Sequence, residues 1–247
     1  MPISDHFGRV ANAYAACRPT YPAHLFDYLA TLTERHDLAW DVGAGNGQAS
    51  LPLAERFSRV LATDRSAEQL AQAPRRPNIE YRAAPAELSG LGAAAVDLIT
   101  VAQAAHWFDL PAFYAEVRRV LAPGGALVLW TYGTPHLDGE SCEAVFQRWS
   151  TEIVGPWWPP ERKWVDEGYR TIPFPFAERV PPPLELTVDW TLPELIGYIT
   201  TWSAVGRYRE ARGTDPVPEL QRELETRWPR TGEARRIRWP LSMRVSA

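Results

Sequence analysis

Asp41, Gly43, Gly45 and Gly47 stand at alternate positions in the run WDVGAGNGQAS. Glycines so placed after a strand let the main chain adopt positive φ and approach a ligand with no Cβ in the way. A dinucleotide site prefers G-x-G-x-x-G, with amides and a helix N-terminus facing a pyrophosphate; here the third glycine comes one residue early. Asp41 would repel a pyrophosphate, yet it can order the turn and help hold a cationic ligand. A second acid, Asp64, follows Gly47 by seventeen residues, at the end of the next apolar run. A carboxylate there can accept both hydroxyls of a ribose. Together these residues are compatible with a nucleoside ligand, and a ribose acid alone does not separate a dinucleotide from a cationic nucleoside.

The elements that must position them follow from periodicity. Leu25, Tyr28, Leu29 and Leu32 share a helical face, and Leu38 to Val42 reads as a strand. After the glycines, Ala49, Leu53, Ala54 and Phe57 repeat the helical spacing, and Arg59 to Thr63 is a short buried strand. Ser66 and Gln69 have the spacing of a capping box for the next helix. Strands are expected at Ile79 to Ala83, Val96 to Val101 and Gly125 to Tyr132, with a helix through Phe113, Val117, Val120 and Leu121 closed by APGG. Strands alternating with helices predict an α/β fold with a doubly wound, mostly parallel seven-stranded sheet, and such sheets bind ligands at the carboxyl ends of their strands.

Past residue 140 the composition shifts: eight of the 11 tryptophans lie there, and eight prolines fall between Pro156 and Pro183, which a continuous parallel sheet cannot accommodate. A helical, Trp/Pro-rich C-terminal cap is expected. Leu184 to Trp190 reads as a strand, Pro193 to Tyr208 and Pro218 to Trp228 as helices, and Arg236 to Val245 as a final strand. The expected division is residues 1–135 for the N-terminal helical segment and ligand-binding core, and 136–247 for the cap with final strands returning to the core sheet.

The spacing D-x-G-x-G-x-G, with Asp64 and the turn Ala86-Glu87 in YRAAPAEL, resembles the class I S-adenosylmethionine-dependent methyltransferases, of the type 11 group. That resemblance implies a Rossmann-like methyltransferase fold, with Gly43, Gly45, Gly47, Asp64, Arg65, Ala86 and Glu87 around the cofactor and S-adenosylhomocysteine as its product. At the fourth strand, nucleic-acid methyltransferases acting on exocyclic amines carry Asp or Asn before Pro-Pro and an aromatic. This chain has Gln103-Ala104-Ala105-His106-Trp107 instead, which departs from that pattern. The runs YAACRPTYP, QAAHWF, ITTWSAVGRY and RWPLSMRV are similar to the trans-aconitate methyltransferase group. The group resemblance implies that Tyr14 and Arg18 fold over the cofactor, that Gln103 lies beside its methionyl part, and that His106 and Trp107 lie beside the methyl being transferred.

On the acceptor side, Trp107, Trp130, Tyr132, Tyr198 and Trp202 are candidates to line a pocket, since tryptophan and tyrosine faces attract a sulfonium and bury apolar groups. Arg207 to Ala247 carry ten arginines against six acids, and Arg207 is the candidate anion contact. A carboxylate acceptor needs no base; a phenol or amine would make His106 a proton acceptor. Two other readings use the same residues: a non-catalytic protein that binds S-adenosylmethionine or S-adenosylhomocysteine and meets another chain through the cap, and an NAD-linked oxidoreductase, for which no hydride-transfer partner residue is evident.

Bulk properties narrow the partners. Net charge is -4, so no general positive field draws in nucleic acid, and a small-molecule methyl acceptor is expected. Cys17 and Cys142 are far apart and the five histidines are scattered, so no metal is implied. No stretch of about 18 apolar residues occurs, and the N-terminus lacks a signal-like pattern; a soluble cytoplasmic protein with no membrane partner is expected. Oligomeric state is not legible.

Overall fold

The structure, a computed structural model, describes residues 19–228, 230 and 232–246. The chain divides into two compact units. The first, the core unit, takes 21–133, 163–184 and the chain from Pro240 onward. Its parallel strands are β1 (Leu38–Val42), β2 (Arg59–Asp64), β3 (Ile79–Ala83), β4 (Val96–Ala102) and β5 (Leu121–Thr131), in the order β3-β2-β1-β4-β5. Order reverses between β1 and β4, which opens a crevice at their carboxyl ends.

Both faces of this sheet are covered, and side-chain alternation along each strand decides which residue meets which cover. Trp40, Val42, Ile99, Val101, Leu127 and Leu129 point to one face, where helix α4 (Leu110–Val120) contributes Phe113, Val117 and Val120. Ala39, Leu98, Ala126, Val128 and Trp130 point to the other, where helix α1 (Ala23–Ala30) contributes Leu25, Phe26 and Leu29. Between them run two short helices, α2 (Ser50–Leu53) and α3 (Ala67–Ala71); the Ser66 hydroxyl caps the latter by accepting from the Gln69 amide at 3.2 Å. Helix α4 ends at Val120, before APGG rather than on it, because Leu121 already pairs with Val96 of β4 as the start of β5; APGG falls in the irregular stretch before pairing resumes at Ala126.

The second unit is described here through residues 134–162 and 185–239. Its helices are α5 (Glu140–Arg148), α7 (Leu192–Thr200), α8 (Ser203–Arg212) and α9 (Val217–Glu225). Its strands are the two-residue β6 (His136–Leu137), most of β8 (Leu184–Trp190), and the first part of β9 (Arg235–Ser246). The later part of β9 belongs to the core unit, antiparallel to β5 and to the two-residue β7 (Glu178–Arg179).

Two expectations change. The described residues hold nine strands where seven were expected, the short pairings β6 and β7 having no signal of their own at two residues each. A single cut after residue 135 also gives way, because 163–184, including all but the first residue of helix α6 (Arg162–Asp166), returns to the core unit. Val165, Tyr169 and Ile172 from this return segment are buried against the α4 face. Arg244 anchors it, donating to the carbonyls of Tyr169 at 2.8 Å and Ile172 at 3.1 Å while pairing with Glu178 at 2.6 Å. No described helix is long and apolar enough to cross a membrane.

Candidate cofactor site

The glycine turn leaves β1 with Gly43, Gly45 and Gly47 at φ of 69°, 55° and 79°, the region where an L side chain is strained. The amides of Gly43 and Ala44 both donate to the Thr63 carbonyl, at 2.8 and 2.9 Å, which ties the turn to β2. A Cβ on Gly43 would stand 2.5 Å from the Ala104 Cβ, so the β4 turn presses against this glycine. Over Gly45 nothing lies within 4 Å of where a Cβ would be, so the turn faces open space there.

Beside it lies a cavity of about 140 Å³ lined by Gly43, Asp64, Arg65, Ala84, Ala86, Ala104, Trp107 and Phe108. Two of these acid and base groups are already oriented. Asp64 accepts the Gly45 amide on Oδ2 and the Ser66 amide on Oδ1, both at 2.8 Å, so its carboxylate links turn and helix while facing the cavity. Arg65 pairs with Glu87 at 2.9 Å. Glu87 also accepts the Asp109 amide at 3.1 Å; its carboxyl sits below the usual range because burial, which raises it, is outweighed by its own backbone amide, Arg65 and Asp109. The cavity thus joins an acid, a glycine main chain and carbon-lined walls, which fits a nucleoside: a ribose at Asp64 and an aromatic base among Ala84, Ala86, Trp107 and Phe108.

Asp41 is fully buried and outside the cavity lining. It accepts the Ser50 hydroxyl at 2.6 Å and the Thr100 hydroxyl at 3.2 Å, bracing the turn from β4 and from the helix that follows. Burial pushes its carboxyl up to about 6, and the charge of Asp64 adds to the rise. Its place is therefore behind the turn, acting on a ligand through charge and through the turn's shape.

Gln103 ends β4 at φ 56°. Its Nε2 donates to the Tyr132 carbonyl at 2.8 Å and its Oε1 accepts from Thr131, so its amide is held by β5. His106 and Trp107 occupy a 3-10 turn, Ala105–Trp107. Trp107 is 57% exposed and lines the same cavity as Asp64, Arg65 and Ala86. His106 turns the other way, its Nδ1 2.7 Å from the Tyr169 hydroxyl.

Other expected residues are packed elsewhere. Trp130 is a correction: strand phase turns it onto the α1 face, fully buried, with its ring 6.5 Å from Phe26 and 5.5 Å from Tyr21, so it is core. Tyr132 is buried as well, its ring 6.3 Å from Tyr21. Tyr198 and Trp202 lie in the second unit within a continuous aromatic cluster, Tyr198 5.3 Å from Trp190 and Trp202 5.3 Å from Trp158, and both are almost wholly buried. Packing within that unit accounts for them. Arg207 is exposed on α8. Tyr14 and Arg18 lie outside the described residues. Sequence reasoning missed Phe108, Ala84 and Ala104, which flank quoted motifs. It also missed Ser50, Thr100 and Tyr169, whose roles depend on strand register and on the return segment.

With this geometry in place, comparison with known proteins is direct. The methyltransferase domain family matches residues 40–129, from β1 through β5. A Dictyostelium discoideum protein named as a methyltransferase is 36% identical over 225 residues, covering 90% of this chain and 86% of its own. An Aspergillus candidus methyltransferase is 30% identical over 196 residues, covering 68% of this chain and 60% of that one. A solved structure from Anaeromyxobacter dehalogenans, described as a type II methyltransferase, is 44% identical, with a TM-score of 0.88 over 93% of this chain and 97% of that chain. The chain belongs to the methyltransferase family.

Proposed function

We propose that the chain transfers a methyl group from S-adenosylmethionine to a small-molecule acceptor, in the cytoplasm and without nucleic acid as partner, as a member of the trans-aconitate methyltransferase-like group. The observation that carries this is the juxtaposition of the open glycine turn at Gly45, the Asp64 carboxylate and the carbon-lined cavity at the β1/β4 crevice. Gly43, Gly45, Asp64, Arg65, Ala86, Trp107 and Phe108 would hold the nucleoside. When bound, S-adenosylmethionine supplies a methyl on a sulfonium, already activated for displacement. The chain's task is then alignment, exclusion of water and a compatible field. A carboxylate acceptor, the class the group resemblance implies, needs nothing more, whereas an acceptor bearing O–H or N–H must also lose a proton.

Isothermal calorimetry with S-adenosylhomocysteine is expected to give binding in the micromolar range; no heat at millimolar ligand removes the proposal. In the same assay Asp64→Ala is expected to weaken binding by ~1–3 kcal/mol, through lost hydrogen bonds to a charged acceptor and a less ordered turn. Unchanged affinity would place the ribose elsewhere.

A further inference from the structure

A second cavity, of about 390 Å³, opens at the amino ends of β1 and β4, the end of the sheet opposite the glycine turn. Cavities of this size hold small molecules. Asp97 lines it from the start of β4; its carboxylate is buried, with Oδ2 accepting the amides of Asp37 at 2.8 Å and Leu38 at 3.0 Å. Gly124 of β5 lines it too, with nothing within 4 Å of where a Cβ would stand, so the wall is open there. The whole lining belongs to the core unit and shares no residue with the cofactor cavity.

Some of the charges around this cavity are already paired. Arg35 donates Nε and Nη2 to Asp37, at 3.1 and 2.7 Å, and its Nε stands 3.6 Å from Asp97. Glu178, the acid beside Arg179, is held by Arg244 at 2.6 Å. Among the described residues this leaves Glu34 and Arg179 with no ion-pair partner, although both line the cavity, both are exposed and their charges are opposite. The polar side chains around Glu34 offer acceptors. Thr31 donates its hydroxyl proton to the Tyr28 carbonyl at 2.7 Å and Thr33 donates its own to the Arg35 carbonyl at 3.0 Å, so each threonine has only lone pairs left. This loop leaves the C-terminus of α1, where the helix dipole favours a cation. Such a set suits an ammonium, which has three protons to donate and no lone pair. Arg179 comes from a separate element, β7, fixed by its pairing with Val245 of β9, and presents a planar donor fork that suits a carboxylate. Its charge is felt by the Tyr28 phenol of α1, offsetting part of the rise that burial causes there.

We propose that this cavity binds a small zwitterion, an amino acid, with its ammonium held by Glu34, Thr31 and Thr33 and its carboxylate by Arg179. Such a ligand meets both unpaired charges at once and brings no net charge of its own. That matches a lining in which Glu34 and Asp97 balance Arg35 and Arg179. A nucleotide or polyphosphate would set negative charge against Glu34 and leave that carboxylate unpaired. The site is separate from the cofactor crevice, and its chemistry does not depend on methyl transfer.

The test is a titration of the full chain followed by amide NMR, with each common α-amino acid in turn, and then β-alanine and γ-aminobutyrate, as probes. At least one probe is expected to shift the Glu34 and Gly124 amides saturably, with a dissociation constant of roughly a millimolar, as charge contacts this exposed imply. Its N-acetyl derivative, which lacks the ammonium, and its methyl ester, which lacks the carboxylate, are each expected to bind at least about tenfold more weakly. Glu34→Gln and Arg179→Gln are expected to weaken the parent amino acid by a similar factor. Both side chains are exposed, so unchanged thermal unfolding is expected and confirms that the fold is kept. S-adenosylhomocysteine is expected to bind both variants within about twofold of the wild type, and at saturation to leave the amino acid's affinity unchanged. Absence of a saturable shift from every probe at roughly 50 mM overturns the proposal. An N-acetyl derivative that binds as tightly as its parent also overturns it, since that marks a site for anions alone. A shift at Gly45 in place of Glu34 does the same, since it puts the amino acid in the cofactor crevice.

Discussion

Replacing Gly43 by alanine is expected to lower S-adenosylhomocysteine affinity at least a hundredfold, close to 3 kcal/mol. Two costs combine at this position. The backbone sits at φ 69°, where a side chain costs about 1–3 kcal/mol. The added Cβ would also meet the Ala104 Cβ at 2.5 Å and the Phe108 Cζ at 3.3 Å. Ala104 Cβ is bonded directly to the main chain and has no torsion with which to yield, so either the glycine turn or the turn after β4 must move. Gly43, Ala104 and Phe108 all line the cavity, so either movement reshapes it. Gly45→Ala is the matched control: it has a similar φ of 55° but nothing within 4 Å of its Cβ, so without ligand it loses only the backbone part. Thermal unfolding of the free protein is expected to place Gly43→Ala below Gly45→Ala, by about 2–4 °C per kcal/mol of difference for a chain this long. Equal melting temperatures, or a Gly43→Ala protein that binds normally, would mean that the β1 turn and the β4 turn are not the two walls of the site.

The cofactor side of this site was far more legible in the sequence than the acceptor side, and the reason lies in the sheet. β1 and β3 were readable to the residue because β1 is a largely apolar run ended by the glycine turn and β3 alternates Ile79, Tyr81 and Ala83 with Glu80 and Arg82. Glycine spacing and the acid at 64 are local patterns, and local patterns survive in a linear reading. Strand phase does not survive when both faces are covered, since every position of a buried parallel strand is apolar and alternation leaves no trace. Trp130 and Thr131 show the consequence. They are neighbours on β5, yet Trp130 packs under α1 and it is Thr131 that bonds Gln103. The segment 163–184 was opaque for a different reason. Its prolines at 173 and 175 rule out regular structure but not docking, and its place on the core depends on Arg244, more than sixty residues further along. Tyr169, which that docking delivers to His106, had no signal in the sequence at all.

Asp41 carries the other large expected effect, and its sign differs from that of an ordinary paired carboxylate. Burial raises its folded-state pKa from 3.8 to about 6, whereas in the unfolded chain it titrates normally. Below pH 3.8 both states are protonated and the residue exacts no penalty. As pH rises from 3.8 toward 6 the unfolded chain ionises first, so stability falls across that window, and above it the full penalty of roughly 3 kcal/mol is in place. Asp41→Asn removes the titration. The Ser50 and Thr100 hydroxyls can rotate to meet an amide, so chemical denaturation is expected to show the variant gaining on the wild type by up to about 3 kcal/mol between pH 4 and pH 7. What the chain retains for that penalty is a buried negative charge behind the glycine turn, which favours a sulfonium over a neutral thioether. In the wild type the affinity for S-adenosylmethionine relative to S-adenosylhomocysteine is therefore expected to fall severalfold as pH drops from 7.5 to 5. In Asp41→Asn the ratio is expected to be lower at pH 7.5 and flat with pH. Parallel pH profiles in the two proteins would show that Asp41 does not ionise in this range and that the preference for the charged sulfur arises from another group.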